Sequence, residues 1–275
     1  MNRDEAVVAD FQRWSGTYFT ALFAGRLFDQ VLLPDVAAGV DWTGRIRYNP
    51  FARAGRSAAS DQLVLWGDET ARQAEFARLK KLHRDVHGTS PEGVRFSAFA
   101  PEAWNWILIS TALMYIRSYG AVGGRSLDDD ELQALWEHNL KQFEGLQLTG
   151  RNRLPERYRD VVKYYDETVL TKGEATSIFT HVNRRLRWAR PVAILSIGIT
   201  DPAVREIAGH PWSRRHDLEF GAYITVIRLA HRWLPRRVTA TPLAYHRWKC
   251  EQLTSRYQSV GLTSFAAEGG CPMGH

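Results

Sequence analysis

The chain has 275 residues, 44% of them hydrophobic and 24% charged, with a formal net charge of +6. That balance excludes a disordered chain, and two cysteines, Cys250 and Cys271, exclude a disulfide scaffold and point to a reducing, cytoplasmic setting. The length allows a sizeable core, read here as one helical domain over 1–275 with a loosely ordered tail from about residue 255.

The N-terminal segment MNRDEAVVADFQRW is polar and lacks the apolar core of a signal peptide. Further on, Asn49-Pro50 has the form of an N-cap followed by proline at the first helical position, and predicts a helix to about Trp66. Gly67-Asp68 interrupts it. Asp68 caps the next helix, which runs from Glu69 to about His87, with Gly88 as its C-terminal stop. Pro101-Glu102 opens a helix that is apolar on nearly every face and is therefore buried all round. The glycines of GAVGG (120–124) read as a turn, and the acidic run 128–131 as the first turn of another helix. Leu154-Pro155 and Asp201-Pro202 each open a helix, and residues 218–233 carry a 3.6-residue period. Residues 192–200, VAILSIGIT, fit a short buried strand or a helix equally well. With alternating patterns scarce, the fold class is all-α. The longest apolar runs, near 104–116 and 191–199, are too short to span a bilayer.

Ten Trp and twelve Phe can wall a pocket for a flat, apolar ligand. The arginine clusters at 184–190, 214–215 and 236–237 come with no nucleic-acid motif, so they read as a solvated basic face or a site for acidic groups. His83 and His87 stand four apart on the expected helix. Such a pair can bind metal, but Arg84 stands where a zinc protease has glutamate. Either histidine can ligate haem, and both can equally be solvated cations at a helix end. Arg53, Arg56 and Ser57 share one helical face and suit a bidentate anion, or are ordinary surface groups. Cys271 and His275 of the CPMGH tail resemble half a metal site without a second half.

Five segments in order resemble the latex-clearing-protein and MpaB-type oxygenases, over residues 23–169. LLPDVAAGV (32–40) is similar to an HPxVAAGV signature, and NPFARAGRS (49–57) to a DPxGRLxRT-like helix start. WGDETARQAEFARLKKLHRDVHG (66–88) is similar to an FGD…RxxHxxVxG helix, FSAFAPEAWNWILIST (96–111) to YSAxDPELLxWVHAT, and LPERYRDVVKYYDETV (154–169) to a later helical signature. The resemblance implies an all-helical fold that holds haem b non-covalently with His83 as the axial ligand to iron. His87 inherits no role. Arg53 and Arg56 line the cofactor, with Arg56 and Ser57 as the catalytic pair, Ser57 donating a hydrogen bond near dioxygen or peroxide. Two family histidines are absent: Leu33 and Leu108 stand in their places. An apolar lining there suits a small apolar or aromatic substrate, oxygenated, desaturated or coupled in natural-product tailoring. The alternatives are a non-catalytic haem carrier or sensor, and a haem-free helical interaction protein with a basic face.

Overall fold

The computed structural model describes residues 3–148, 153–186 and 188–259. It opens with α1 (Arg3–Ser15), a 3-10 stretch (Tyr18–Arg26) and α2 (Leu27–Gln30). Then come α3 (Pro34–Asp41), α4 (Arg45–Tyr48), α5 (Pro50–Trp66) and α6 (Glu69–Arg84). A small hairpin follows, β1 (His87–Thr89) antiparallel to β2 (Arg95–Ser97), with Gly88 opposite Phe96. The rest is helical: α7 (Pro101–Gly123), α8 (Asp129–Gln142), α9 (Tyr158–Tyr164), α10 (Ser177–Leu186), α11 (Arg190–Gly198), α12 (Pro202–Ile207), α13 (Arg214–Trp233), α14 (Arg236–Thr239) and α15 (Pro242–Ser259). The all-α expectation holds, and among the described residues no helix is long and apolar enough to cross a membrane.

The apolar helix α7 organises the interior. Its first half sends Trp106, Ile109 and Leu113 into a core shared with Leu32, Trp136, Val161 and Val169. Its second half sends Met114, Ile116 and Tyr119 into a core shared with Phe11, Trp14, Leu195 and Ile227. A helix apolar on every face can serve two cores, because neither side has to meet water. The Trp14 indole N–H donates to Ser118 Oγ at 3.0 Å, which satisfies a buried polar pair between α1 and α7.

Side-chain caps set several helix starts. Asn49, Asp68 and Asp201 each accept a backbone N–H at a helix start, as their positions before the periodic segments predict. Asp128 and Glu131 form a reciprocal capping box on α8. Residues 192–200 resolve in favour of a helix, α11.

Several boundaries differ from expectation. The α6 helix stops at Arg84, so Gly88 is no helix stop; it lies in a strand, where its missing side chain lets Trp42 and Phe96 approach. The hairpin escapes the alternation test because each strand has only three residues. Gly120 to Gly123 are helical, and only Gly124 turns left-handed, at φ 70°, to end α7. The segment after Pro155 becomes helical only at Tyr158, and residues 165–170 continue it as a π-helix. α15 runs through Ser259, past the expected start of the tail, while Cys271 and His275 lie outside the described residues.

One packing detail predicts acid sensitivity. The His138 ring of α8 meets Phe11 edge-on, 5.9 Å between centroids, and burial pushes its pKa down to about 4. The unfolded chain therefore takes up this proton near pH 6.5 and the folded one only near 4. Stability falls between those limits as pH drops, by about 3 kcal/mol. Urea unfolding of His138→Phe should show that loss removed relative to the native chain; parallel curves for the two proteins would refute it.

Candidate active site

The site is assembled where α5, α6 and the start of α7 come together. Glu75, buried on α6, accepts two hydrogen bonds from Arg78, at 2.7 and 2.6 Å, and one from Ser60 of α5. The Arg78 bonds come first among the causes that hold its carboxyl below the usual range. The Ser60 bond ties α5 to α6, the helices that carry Arg53 and His83.

His83 occupies the last turn of α6. Its Nδ1 lies 2.8 Å from the carbonyl oxygen of Leu79. A carbonyl only accepts, so Nδ1 carries the proton and Nε2 is left with its lone pair. The ring stands edge-on to Trp104, 5.4 Å between centroids and 82° between planes. Trp104 is itself held by an indole N–H bond to the carbonyl of Leu146 at 2.8 Å. Burial lowers the His83 pKa, and repulsion by Arg53 and Arg78 lowers it further, against the opposing Leu79 bond. The neutral imidazole, the form that ligates metals, is thereby favoured.

Arg53 is half-buried on α5, near enough to His83 to disfavour its protonation. Burial depresses the guanidinium pKa first, Arg56 adds to the effect and Asp41 opposes it. Arg53 Nη1 is buried without a hydrogen-bond partner, and so is Asp41 Oδ1, whose sister oxygen binds Arg47 Nε at 2.7 Å. A native structure rarely leaves a charged donor orphaned, so this N–H is poised for an anionic group. Arg56 and Ser57 are exposed on the same helix. His87 is exposed in β1, so the two histidines do not share a helical face. The helix they were expected to share ends before His87, which pairs with Ser97 instead.

The donor set fits haem b. A haem needs one axial imidazole with a fixed second nitrogen and cations for its carboxylates, and His83 and Arg53 meet those needs. Among the described residues no group of three or more His, Cys, Asp or Glu could hold a bare metal ion. The Leu79 carbonyl, Asp41 and the Ser60–Glu75 clasp are not readable from the sequence. Trp104 carries a signal only through its place in the PEAW segment.

A profile of the family described as ER-bound oxygenase mpaB/B'/Rubber oxygenase, catalytic domain, matches residues 12–229. The chain belongs to this family. The match to the mpaB/rubber-oxygenase family extends on both sides of residues 23–169 and takes in most of α13. An uncharacterised protein of Mycobacterium bovis and one of Mycobacterium tuberculosis are each 22% identical over 244 residues, covering 82% of this chain and 93% of the relative. No solved structure matches the chain.

Leu33 and Leu108, in the places of the two missing histidines, are both buried. Leu33 lines a cleft of about 180 Å3 together with Ala103, Glu102, Tyr164, Thr168 and Lys172. Its walls are therefore mixed in character rather than apolar throughout. His83 is not among them.

An engineered change separates function from stability here. Arg53→Met removes a buried, unpaired N–H, so the haem-free protein should be as stable as the native chain or about 1 kcal/mol more so. On the reading that Arg53 holds a haem carboxylate, haem affinity should fall about tenfold. Thermal melts and haem titration check both, and an unchanged haem affinity would remove Arg53 from the site.

Proposed function

We propose that this chain is a haem b-dependent oxygenase or oxidase acting on a small, largely apolar or aromatic organic substrate with dioxygen or peroxide. The observation that carries the reading is His83: a neutral imidazole with Nδ1 tied to Leu79 and Nε2 open, beside an Arg53 N–H without a partner. His83 holds the iron, and the Leu79 bond fixes the tautomer and ring orientation. Bound haem supplies the redox chemistry that activates the oxidant. Arg53 binds a haem carboxylate. Arg56 and Ser57 supply N–H and O–H donors to oxygen atoms in the site. Trp104 packs on His83 and keeps water from that side of the ring.

The substrate class rests on Trp42, Tyr48 and Phe51, which are exposed around α4 and the start of α5. Apolar surface left open beside a polar site favours an apolar reactant. The two missing histidines favour a reaction distinct from that of family members that retain them, in the range of oxygenation, desaturation or coupling.

The test is reconstitution. Purified protein titrated with haem should develop one Soret band at one haem per chain, then consume dioxygen or peroxide with an apolar substrate. Absence of the band at every haem concentration would overturn the reading.

A further inference from the structure

The outer face of α13 has no use in the oxygenase reading. Leu218, Ala222, Val226, Leu229 and Trp233 are spaced four, four, three and four residues apart and form one stripe. Leu218, Val226, Leu229 and Trp233 are 69%, 64%, 51% and 74% exposed. The opposite face carries Ile224 and Ile227, both buried. Thus α13 is apolar on its solvent side as well as on its core side. The stripe continues beyond the helix through exposed Leu234 and Val238.

Among the described residues the charges around this stripe that lack an opposite partner are arginines, apart from Asp217 in the first turn of α13, whose Oδ1 accepts the Trp212 indole N–H at 2.7 Å. Arg214, Arg232 and Arg237 are exposed and have no carboxylate partner among the described residues. Glu219, also beside the stripe, is neutralised by Arg190 at 2.7 Å and Arg215 at 3.0 Å. Trp188, 92% exposed, stands two residues before Arg190 and so adds a second open indole near the N-terminal end of α13. Tryptophan and aliphatic side chains between arginines suit a surface that is apolar beneath and anionic at the level of the charges.

We propose that the outer face of α13 docks on an anionic phospholipid membrane, with the helix lying in the interface plane. At 20 residues the helix is about 30 Å long, enough to lay the whole stripe on the surface. A second copy of the chain is disfavoured, because a two-fold pairing of these faces would set arginine against arginine. The tail 260–275 is disfavoured too, since its only acidic residue, Glu268, cannot match three arginines.

The test is cosedimentation of the full chain with vesicles of phosphatidylcholine, with and without phosphatidylglycerol. Binding should require phosphatidylglycerol and weaken as salt is added. The Leu229→Glu/Trp233→Glu variant should bind about tenfold more weakly or worse. Arg232→Gln/Arg237→Gln should bind about tenfold more weakly and lose most of the salt dependence. Both should melt like the native chain, and if one fails to fold, the other and the lipid and salt series still decide. The proposal is overturned if the native chain binds neither vesicle, or if a folded variant binds as the native chain does. A concentration-dependent dimer that Leu229→Glu/Trp233→Glu disperses, without vesicle binding, would assign the face to a second copy instead.

Discussion

Replacing His83 by alanine is expected to weaken haem binding about a hundredfold or more and to remove the Soret band at micromolar protein, with the fold intact. His83 is only half-buried, and its one hydrogen bond is to its own helix, so the haem-free variant should melt within about 1 kcal/mol of the native chain. The separation matters, because a variant that lost haem by unfolding would say nothing about ligation. Acid adds a second readout. Ligation requires the neutral ring, and burial with Arg53 and Arg78 lowers the His83 pKa from 6.5. Haem release should therefore begin below the ordinary histidine range. Release centred well above pH 6.5 would point to another ligand.

The second large effect concerns stability. Asp29 is buried between the first helices and α7, where Arg117 Nη1 lies 3.1 Å and the Tyr165 hydroxyl 3.2 Å from Oδ2. The Arg117 guanidinium also lies over the Tyr165 ring, 4.8 Å from its centroid. Asp29 Oδ1 is already without a partner. Arg117→Met strands this carboxylate and should cost about 3–5 kcal/mol. Adding Asp29→Asn should recover most of it, because the stranded charge rather than a lost attraction dominates. The pH sign follows from desolvation, which raises the Asp29 pKa above 3.8 against the pull of Arg117. Without Arg117 the rise is larger. The folded state then binds the proton more readily than the unfolded one, so the deficit of Arg117→Met should shrink as pH falls through the raised value. Chemical denaturation at several pH values measures this, and a deficit that is constant or grows in acid would contradict it.

The fold was legible wherever one local signal decided an element. α7 announces itself because a helix apolar on every face has nowhere to go but inside, and the Asn49, Asp68 and Asp201 caps mark their helices through short side chains that reach the first free N–H groups. The errors share another cause. The end of α6 depends on the chain turning at Asp85 so that β1 can pair with β2 across Gly88, a non-local bond pattern that no window around His87 contains. GAVGG reads as a turn because glycine permits both turn and helix, and packing of α7 selects the helix up to Gly123. The candidate residues His83, Arg53, Arg56 and Ser57 come from motif order, but the burial of Arg53 and the exposure of Arg56 and Ser57 depend on the packing of α5. The bond that orients His83 goes to a backbone carbonyl, and any residue at position 79 would supply it.

The central claim is that His83 Nε2 holds the iron of a bound haem. The most direct measurement is chemical rescue of His83→Gly, which opens space for a free imidazole. With haem alone the variant should show a weak, altered Soret spectrum, and imidazole should restore the native spectrum at one haem per chain. A His83→Gly protein that binds haem with native stoichiometry and spectrum before imidazole is added would contradict the account.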